Sequence, residues 1–240
     1  MEFICLAAGK GTRFGRLGTY LQKCMYPVDL RPFLEHTLLQ WLVGAAVDPA
    51  RDRLTLVVGH QAEQVRVYFG NAFEGVPLRY VHQEEQRGTG HALGLAAGGL
   101  AESDSAVVWL ADLFVSADAF RRVLEHPSRA LVTLAPGPEG DNERVRVRRD
   151  GDRMARVWDG DEALFDVGLW KLPGPVMRDL RRVRTGGVEY RVLPNLQEHL
   201  DAGLDVGWLV IDEWVHLGGT EPTPEENVRR VVEHVRAAAR

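Results

Sequence analysis

Three scarcities narrow the classes of protein to which this sequence can belong. Two cysteines in 240 residues, Cys5 and Cys24, exclude a disulfide framework and a cysteine-rich zinc site, and favour a reducing cytoplasm. With 29 basic against 34 acidic residues, the net charge of -5 argues against a nucleic-acid partner, because proteins that bind the phosphate backbone carry a basic excess. No basic leader and no apolar run of roughly 18 residues occur, so we expect no membrane association.

Short apolar runs alternate with segments of helical period through the first half of the chain. The runs and segments are 3–7, 33–46, 54–59, 62–69, 78–82, 89–100 and 106–110. This alternation is typical of parallel strands joined by covering helices. It predicts an α/β fold with a Rossmann-like, mostly parallel central sheet flanked by helices.

The pattern changes after Ala135. Arginines alternate with valines at 144–148, and a tight hairpin turn is expected at 150–152. A solvated hairpin face is favoured for these arginines over a groove for an anionic substrate. We expect one domain over the whole chain, with a nucleotide-binding part at 1–135 and, on the same sheet, a small substrate-facing β subdomain at 136–240 that binds the acceptor.

A glycine-rich loop, LAAGKGTRFG at 6–15, directly follows the first apolar run. Its glycines let backbone N–H groups approach phosphate oxygens, and the small Ala7 and Ala8 leave room for a base or ribose. The order Gly-Lys-Gly-Thr-Arg does not match the P-loop of ATPases. A dinucleotide-binding fold is disfavoured by the residues alone, because the third glycine, Gly15, comes one position late and Asp29 follows a proline instead of ending a strand.

The wider segment 6–38, LAAGKGTRFGRLGTYLQKCMYPVDLRPFLEHTL, resembles without a gap the signature LAAGxGTRLxPLTxxxPKxMxPVxxKPxLExxL of the sugar-phosphate nucleotidyltransferases. That family includes glucose-1-phosphate thymidylyltransferases and mannose-1-phosphate guanylyltransferases. Residues 83–93 resemble the family's base-binding element QxxxxGTAxAL, and the resemblance covers most of residues 2–115. It implies a nucleotide-diphospho-sugar transferase-like fold and transfer of a nucleoside monophosphate from a nucleoside triphosphate to a sugar 1-phosphate, with release of pyrophosphate.

The resemblance also implies roles for residues of the first half. Arg13 and Lys23 match the catalytic cations that hold the reacting phosphates, and Asp112 matches the aspartate that binds Mg²⁺, an ion that prefers oxygen ligands. The implied nucleotide-binding residues are Leu6, Ala7, Ala8, Gly9, Lys10, Gly11, Thr12, Gln83, Gly88 and Thr89. Gln83 and Gly88 match positions that face a pyrimidine, which favours dTTP or UTP, since a glutamine can both donate to and accept from an imide edge.

Several positions depart from the family pattern. Gln22 stands where the family has the proline before the lysine. The segment 165–170 resembles the NxGxY strand, with an aspartate in place of the asparagine, and the EKP segment that holds the sugar phosphate has no clear counterpart. The expected acceptor-binding residues are Asp166, Gly168, Lys171 and Glu189, with Arg156 as the alternative to Lys171 for the missing lysine of that segment.

The segment 214–220 resembles the family's WxDxGT element, whose aspartate is a second ligand of Mg²⁺. His216 occupies the position of that aspartate. A neutral imidazole is a poor ligand for Mg²⁺ compared with a carboxylate. Either Asp212 or Glu213 supplies the missing oxygen, or the ion is held by Asp112 and the nucleotide phosphates alone.

These departures leave three functions open. The favoured function is transfer from dTTP or UTP to a sugar 1-phosphate. A cytidylyltransferase that acts on a non-sugar phosphate or phosphonate would explain the missing sugar-phosphate landmarks. A nucleotide-sensing relative with impaired catalysis is the third, but a sensor has no need to retain Arg13, Lys23 and Asp112 together. Homo-oligomerisation stays open in all three.

Overall fold

The structure is a computed structural model and describes residues 2–101, 104–136, 145–181, 183–184, 189–217 and 224–238. The strands are β1 (Glu2–Ala7), β2 (Pro27–Val28), β3 (Arg31–Pro32), β4 (Arg53–Val58), β5 (Ala72–Phe73), β6 (Val76–His82), β7 (Ser105–Leu110), β8 (Leu113–Val115), β9 (Ala130–Pro136), β10 (Arg148–Asp150), β11 (Arg153–Arg156), β12 (Leu164–Pro173), β13 (Val206–Val210) and β14 (Trp214–His216). The α-helices are α1 (Phe33–Gly44), α2 (Ala62–Phe69), α3 (Thr89–Ala96), α4 (Ala117–Glu125), α5 (Gly174–Arg178), α6 (Val192–Asp201) and α7 (Pro224–Ala238).

Ten strands form one central sheet in the order β10-β11-β13-β9-β12-β7-β1-β4-β6-β5. β1 pairs in parallel with β4 and with β7, and β4 pairs in parallel with β6. β12 runs antiparallel between β7 and β9. β4, β6 and β5 therefore lie on one side of β1, and β7 is the first strand on its other side. Open α/β sheets bind ligands at such a switch point, outside the carboxyl ends of the strands.

Both faces of the central strands are buried, which explains why they read as continuous apolar runs. On β1, Phe3, Cys5 and Ala7 face a core formed with α1, α2 and α4. Ile4 and Leu6 face a second core, formed with α3, α5 and α6. The alternation follows from the period of two in a strand.

Aromatic rings tie α1 to the sheet and the sheet to α4. The Trp41 ring lies 5.2 Å from Phe3 and 6.1 Å from Trp109, and Trp109 lies 5.3 Å from Phe120 in an edge-to-face contact. Such pairs add to the free energy gained by burial. The end of β7, where Trp109 sits, is therefore held rigidly.

The fold confirms the predicted Rossmann-like α/β architecture and its central sheet. Part of the predicted arginine-rich strand lies outside the described residues, but the hairpin turn is present, with Gly151 at φ +55° between β10 and β11. Arg149 pairs with Glu162 at 2.8 Å and covers the Trp208 ring at 4.5 Å. None of the described helices combines the length and the apolar character that crossing a membrane requires.

Candidate active site

The glycine-rich loop leaves the carboxyl end of β1 and turns back into two short 3₁₀ turns at Thr12–Thr19. Gly11 has φ +62°, a conformation that favours glycine. Gly18 packs so closely that a Cβ there would overlap the carbonyl oxygen of Gly11. Gly18 stands where the family signature has threonine, and the absence of a Cβ permits this close approach.

The buried side chain of Gln22 holds the glycine-rich loop in place through hydrogen bonds. Its side chain is 2% exposed, and its Nε2 donates to the carbonyl of Ala7 at 2.7 Å and to that of Gly9 at 3.2 Å. Its Oε1 accepts from the backbone N–H of Cys24 at 3.2 Å. One side chain thus joins the start of the loop to the turn that carries Lys23. In the sequence, Gln22 is apparent only as a departure from the family's proline, and no local pattern predicts these contacts.

We expect Gln22→Ala to lower the free energy of unfolding by about 1 to 3 kcal/mol, because the loop carbonyls and the Cys24 N–H lose their buried partner. Urea denaturation measures this change. Gln61→Ala is the matched control, since half-buried Gln61 donates a solvent-exposed hydrogen bond to the carbonyl of Thr19 at 3.1 Å; it should stay within about 0.5 kcal/mol of the unchanged chain. Equal effects of the two substitutions would contradict the assigned role.

Lys23 and Asp112 meet at the switch point. The Lys23 Nζ lies 2.5 Å from Asp112 Oδ2, and the two side chains are 12% and 22% exposed. Asp112 directly follows Leu110 and Ala111 at the end of β7. Burial opposes its ionisation, but His216 and Lys23 beside it hold the pKa of Asp112 well below its usual range. The carboxylate is therefore ionised at neutral pH.

His216 is the third member of this cluster. Its Nε2 lies 3.4 Å from Asp112 Oδ1. The contact is fixed by the backbone, since β14 pairs antiparallel with β8, and the N–H of Leu217 donates to the carbonyl of Asp112 at 2.7 Å. His216, at the position of the family's second Mg²⁺-binding aspartate, thus lies beside Asp112, which is at the position of the first.

Arg13 belongs to the 3₁₀ segment that follows the glycine loop, but its side chain lies outside the described part of the structure. Lys10 on the same loop is exposed. The structure therefore locates the backbone of Arg13 near Gly11, whose carbonyl accepts from Phe14 N at 2.8 Å. The triphosphate-binding role of Arg13 stays a prediction.

The predicted base-binding element lies at the end of β6 and the start of α3. Gln83 is buried, and its Nε2 contacts the carbonyl of Gly88 at 3.1 Å and Nδ1 of His91 at 3.0 Å. Gly88 has φ +94°, and a Cβ there would lie 2.5 Å from the carbonyl oxygen of Tyr190. Thr89 accepts at Oγ1 from the N–H of Val192 at 3.2 Å. The element is thereby anchored to the start of α6.

The expected acceptor residues fall in two places. Asp166 accepts from Nε1 of Trp170 at 2.7 Å, and burial raises the pKa of Asp166 to about 7. Gly168 has φ +97°, and a Cβ there would lie 2.8 Å from Cδ1 of Leu110. These two residues lie toward the end of β7 that carries Asp112. Glu189 is exposed and pairs with Arg191 at 3.2 Å. It directly precedes Tyr190, whose carbonyl accepts from the N–H of Gly90 in the base-binding element.

Lys171 lies away from the cluster formed by Lys23, Asp112 and His216. β12 runs antiparallel to β7, so each step from Gly168 to Lys171 leads away from Asp112, and Lys171 pairs with Val107 in the sheet. Its Nζ is buried and donates to the carbonyl of His126 at 2.5 Å, at the end of α4. Burial lowers the pKa of this lysine. The expectation that Lys171 binds the acceptor therefore needs correction.

The donor atoms only partly fit Mg²⁺. Asp112 offers the hard carboxylate oxygens that this ion prefers. Asp212 and Glu213, the expected substitutes for a second carboxylate, are exposed and line a separate depression with Ser116. Within the described ranges, no group of three or more His, Cys, Asp or Glu residues could hold a metal ion. A cation beside Asp112 would complete its coordination with phosphate oxygens or water.

The order of the strands, with the cluster at the switch point, gives this chain an α/β fold of the nucleotide-diphospho-sugar transferase type. A UDP-glucose pyrophosphorylase solved with UDP-glucose superposes with a TM-score of 0.80 at 15% identity, over 98% of both chains. The inositol-1-phosphate CTP transferase of T. maritima gives 0.75 at 16% identity, over 97% of this chain and 95% of that one.

The chain belongs to the family of MobA-like NTP transferase domains, whose model matches residues 3–171. The UTP–glucose-1-phosphate uridylyltransferase AglF of Haloferax volcanii is 40% identical over 39% of this chain and 36% of that protein. The D-glycero-alpha-D-manno-heptose 1-phosphate guanylyltransferase of Aneurinibacillus thermoaerophilus is 32% identical over 60% of each. The family resemblance of the sequence is therefore confirmed. The chain spans about a third of the length of the first curated relatives that it matches.

Proposed function

We propose that this protein transfers a nucleoside monophosphate from UTP or dTTP to a sugar 1-phosphate and releases pyrophosphate. The observation that carries the proposal is the contact between Lys23 and Asp112 beside the glycine loop, at the switch point of the sheet. The names of the two curated relatives describe transfer to a sugar 1-phosphate. The nucleotide would bind to residues 1–135 and the acceptor to the remainder. The two buried, free cysteines are consistent with a cytoplasmic location.

The reaction needs no general base. An oxygen of the acceptor phosphate, already an anion, forms a bond to the α-phosphorus, and the bond between that phosphorus and the bridging oxygen of pyrophosphate breaks. The barrier comes from mutual repulsion of the two anions and from charge on the leaving group, which fixed positive charges offset. Lys23 supplies such a charge and the N–H groups of the glycine loop orient the phosphates. Asp112 would hold a divalent cation, whose contribution when bound is further neutralisation of phosphate charge.

The base preference is supported by the contacts of Gln83. Its Nε2 is engaged by the carbonyl of Gly88 and by Nδ1 of His91, which leaves Oε1 as the atom for a ligand. Burial lowers the pKa of His91 and so favours the neutral ring that accepts this hydrogen bond. An acceptor at Oε1 suits the imide N–H of uracil or thymine and also the N4 amine of cytosine. This contact therefore agrees with UTP or dTTP but does not separate them from CTP.

A cytidylyltransferase with a non-sugar phosphate or phosphonate as acceptor is the second candidate. The observation that favours it is the position of Lys171, which lies away from Asp112 and leaves the acceptor side without the lysine expected for a sugar phosphate. A nucleotide sensor is less well supported, because the contact between Lys23 and Asp112 places a cation where transfer would need one.

Pyrophosphate release measured for each nucleotide against sugar 1-phosphates, phosphocholine and aminoethylphosphonate separates these functions. Each pair is assayed with Mg²⁺, with Mn²⁺ and with a chelator. We expect release with UTP or dTTP and a sugar 1-phosphate, and none with the chelator. Release with CTP and phosphocholine or the phosphonate would favour the second candidate. Nucleotide binding in a thermal-shift assay without release from any pair would refute transfer and favour a sensor.

A further inference from the structure

The pair formed by Asp112 and His216 offers a mixed set of donor atoms. Asp112 Oδ1 lies 3.4 Å from His216 Nε2, while Lys23 approaches the other carboxylate oxygen, Oδ2. His216 is half-buried at the end of β14, a strand held against β8 by the backbone. The two side chains are thus positioned together by the fold and not by a flexible loop.

No second carboxylate joins this pair among the described residues. Asp212 and Glu213 lie on the connection before β14 and border a depression near the start of α4. Among the described residues, the protein donors beside a cation at this position would therefore be one carboxylate and one imidazole. The 3.4 Å contact between Asp112 Oδ1 and His216 Nε2 places the two donor atoms close enough for one ion to reach both.

We propose that Asp112 and His216 together bind a divalent transition-metal ion in preference to Mg²⁺, with nucleotide phosphate oxygens at further positions. Mg²⁺ is a hard ion that takes oxygen ligands and gives up its water reluctantly. Imidazole nitrogen binds first-row transition metals more strongly. The proposal rests on the proposed function, since the nucleotide supplies the remaining ligands.

The first test detects the imidazole ligand directly. Mn²⁺ and the α,β-methylene analogue of UTP are bound to the full chain, and electron spin-echo envelope modulation is recorded at Mn²⁺. We expect ¹⁴N modulation from a coordinated imidazole. The modulation should disappear in His216→Asp and in His216→Gln. It should persist in His82→Gln, a matched control, because His82 is exposed at the end of β6.

The second test measures metal preference without turnover. Calorimetric titration of the analogue-loaded protein gives the ratio of the Kd values for Mg²⁺ and Mn²⁺. His216→Asp replaces the imidazole by a carboxylate and should shift this ratio toward Mg²⁺ by about tenfold or more. His216→Gln should weaken Mn²⁺ binding without a comparable gain for Mg²⁺.

The outcomes separate this proposal from the proposed function. Bound Mn²⁺ without ¹⁴N modulation, or an unchanged Kd ratio in His216→Asp, would overturn the metal assignment while nucleotidyl transfer stands. Modulation in the unchanged chain together with no pyrophosphate release under any condition would overturn the function alone. Failure of Mn²⁺ to bind beside the bound nucleotide analogue would overturn the metal assignment, and failure of Mg²⁺ to bind there as well would overturn both.

Discussion

Replacement of Lys23 by alanine should lower kcat for pyrophosphate release by about a hundredfold to a thousandfold, the range seen when a fixed electrostatic contact to a transition state is removed. Lys23 is mostly buried, and its ammonium group is held at 2.5 Å from Asp112. If transfer occurs as proposed, a cation in this position would neutralise phosphate charge without reorganisation during the reaction. Steady-state kinetics with the nucleotide and acceptor that give release would measure the change.

Two further variants separate charge from packing at this position. Lys23→Arg keeps the charge but changes the donor geometry, so we expect kcat between those of the unchanged chain and of Lys23→Ala. Arg53→Ala removes an exposed cation at the start of β4, at the opposite end of the sheet, and should leave kcat within a few-fold. A Lys23→Ala variant that folds and turns over at the rate of this control would refute the catalytic role.

Asp112→Asn should lower kcat/KM by a similar factor, about a hundredfold or more, since an amide neither carries the charge that holds a divalent cation nor pairs with Lys23. Because Lys23 and His216 keep the pKa of Asp112 low, this carboxylate stays ionised throughout the ordinary assay range. The acid limb of a pH-rate profile above about pH 5 should therefore come from other groups.

The same substitution has a pH-dependent effect on stability. A carboxyl group whose pKa is lower in the folded state stabilises the fold above its unfolded pKa, and this contribution is lost as the pH falls toward the folded value. Asp112→Asn should therefore lower the free energy of unfolding at pH 7, with a smaller deficit below about pH 4. Asp152→Asn, in the exposed hairpin turn, serves as control. A deficit that does not change with pH would contradict the ion-pair explanation.

Local patterns predicted the elements that position the nucleotide side of the site. The apolar run before Asp112 predicts a buried strand, and the carboxyl end of such a strand is a general location for ligands. The continuous signature from Leu6 to Leu38 contained both the glycine loop and Lys23. These predictions depend on short-range spacing, which the sequence displays directly.

Contacts between distant segments were harder to predict. His216 faces Asp112 because β14 pairs with β8, a pairing that no local pattern specifies. Lys171 is predicted at the acceptor site as a substitute for the family's missing lysine, and the apolar residues of β12 do not reveal its direction relative to β7, which leads Lys171 away. Gln22 drew attention only as a missing proline, since its partners become neighbours through the turn of the loop. Each error concerns tertiary placement and not the type of element.

The insertion of β12 between β7 and β9 has a consequence for how the chain folds. β12 begins more than fifty residues after β7 ends, so the middle of the sheet closes only when a late segment of the chain arrives. Until then, β7 and β9 each present an unpaired edge, the feature that promotes wrong pairing and aggregation. Because such non-local pairings form slowly, we expect the first half to remain incompletely protected during synthesis until β12 has emerged.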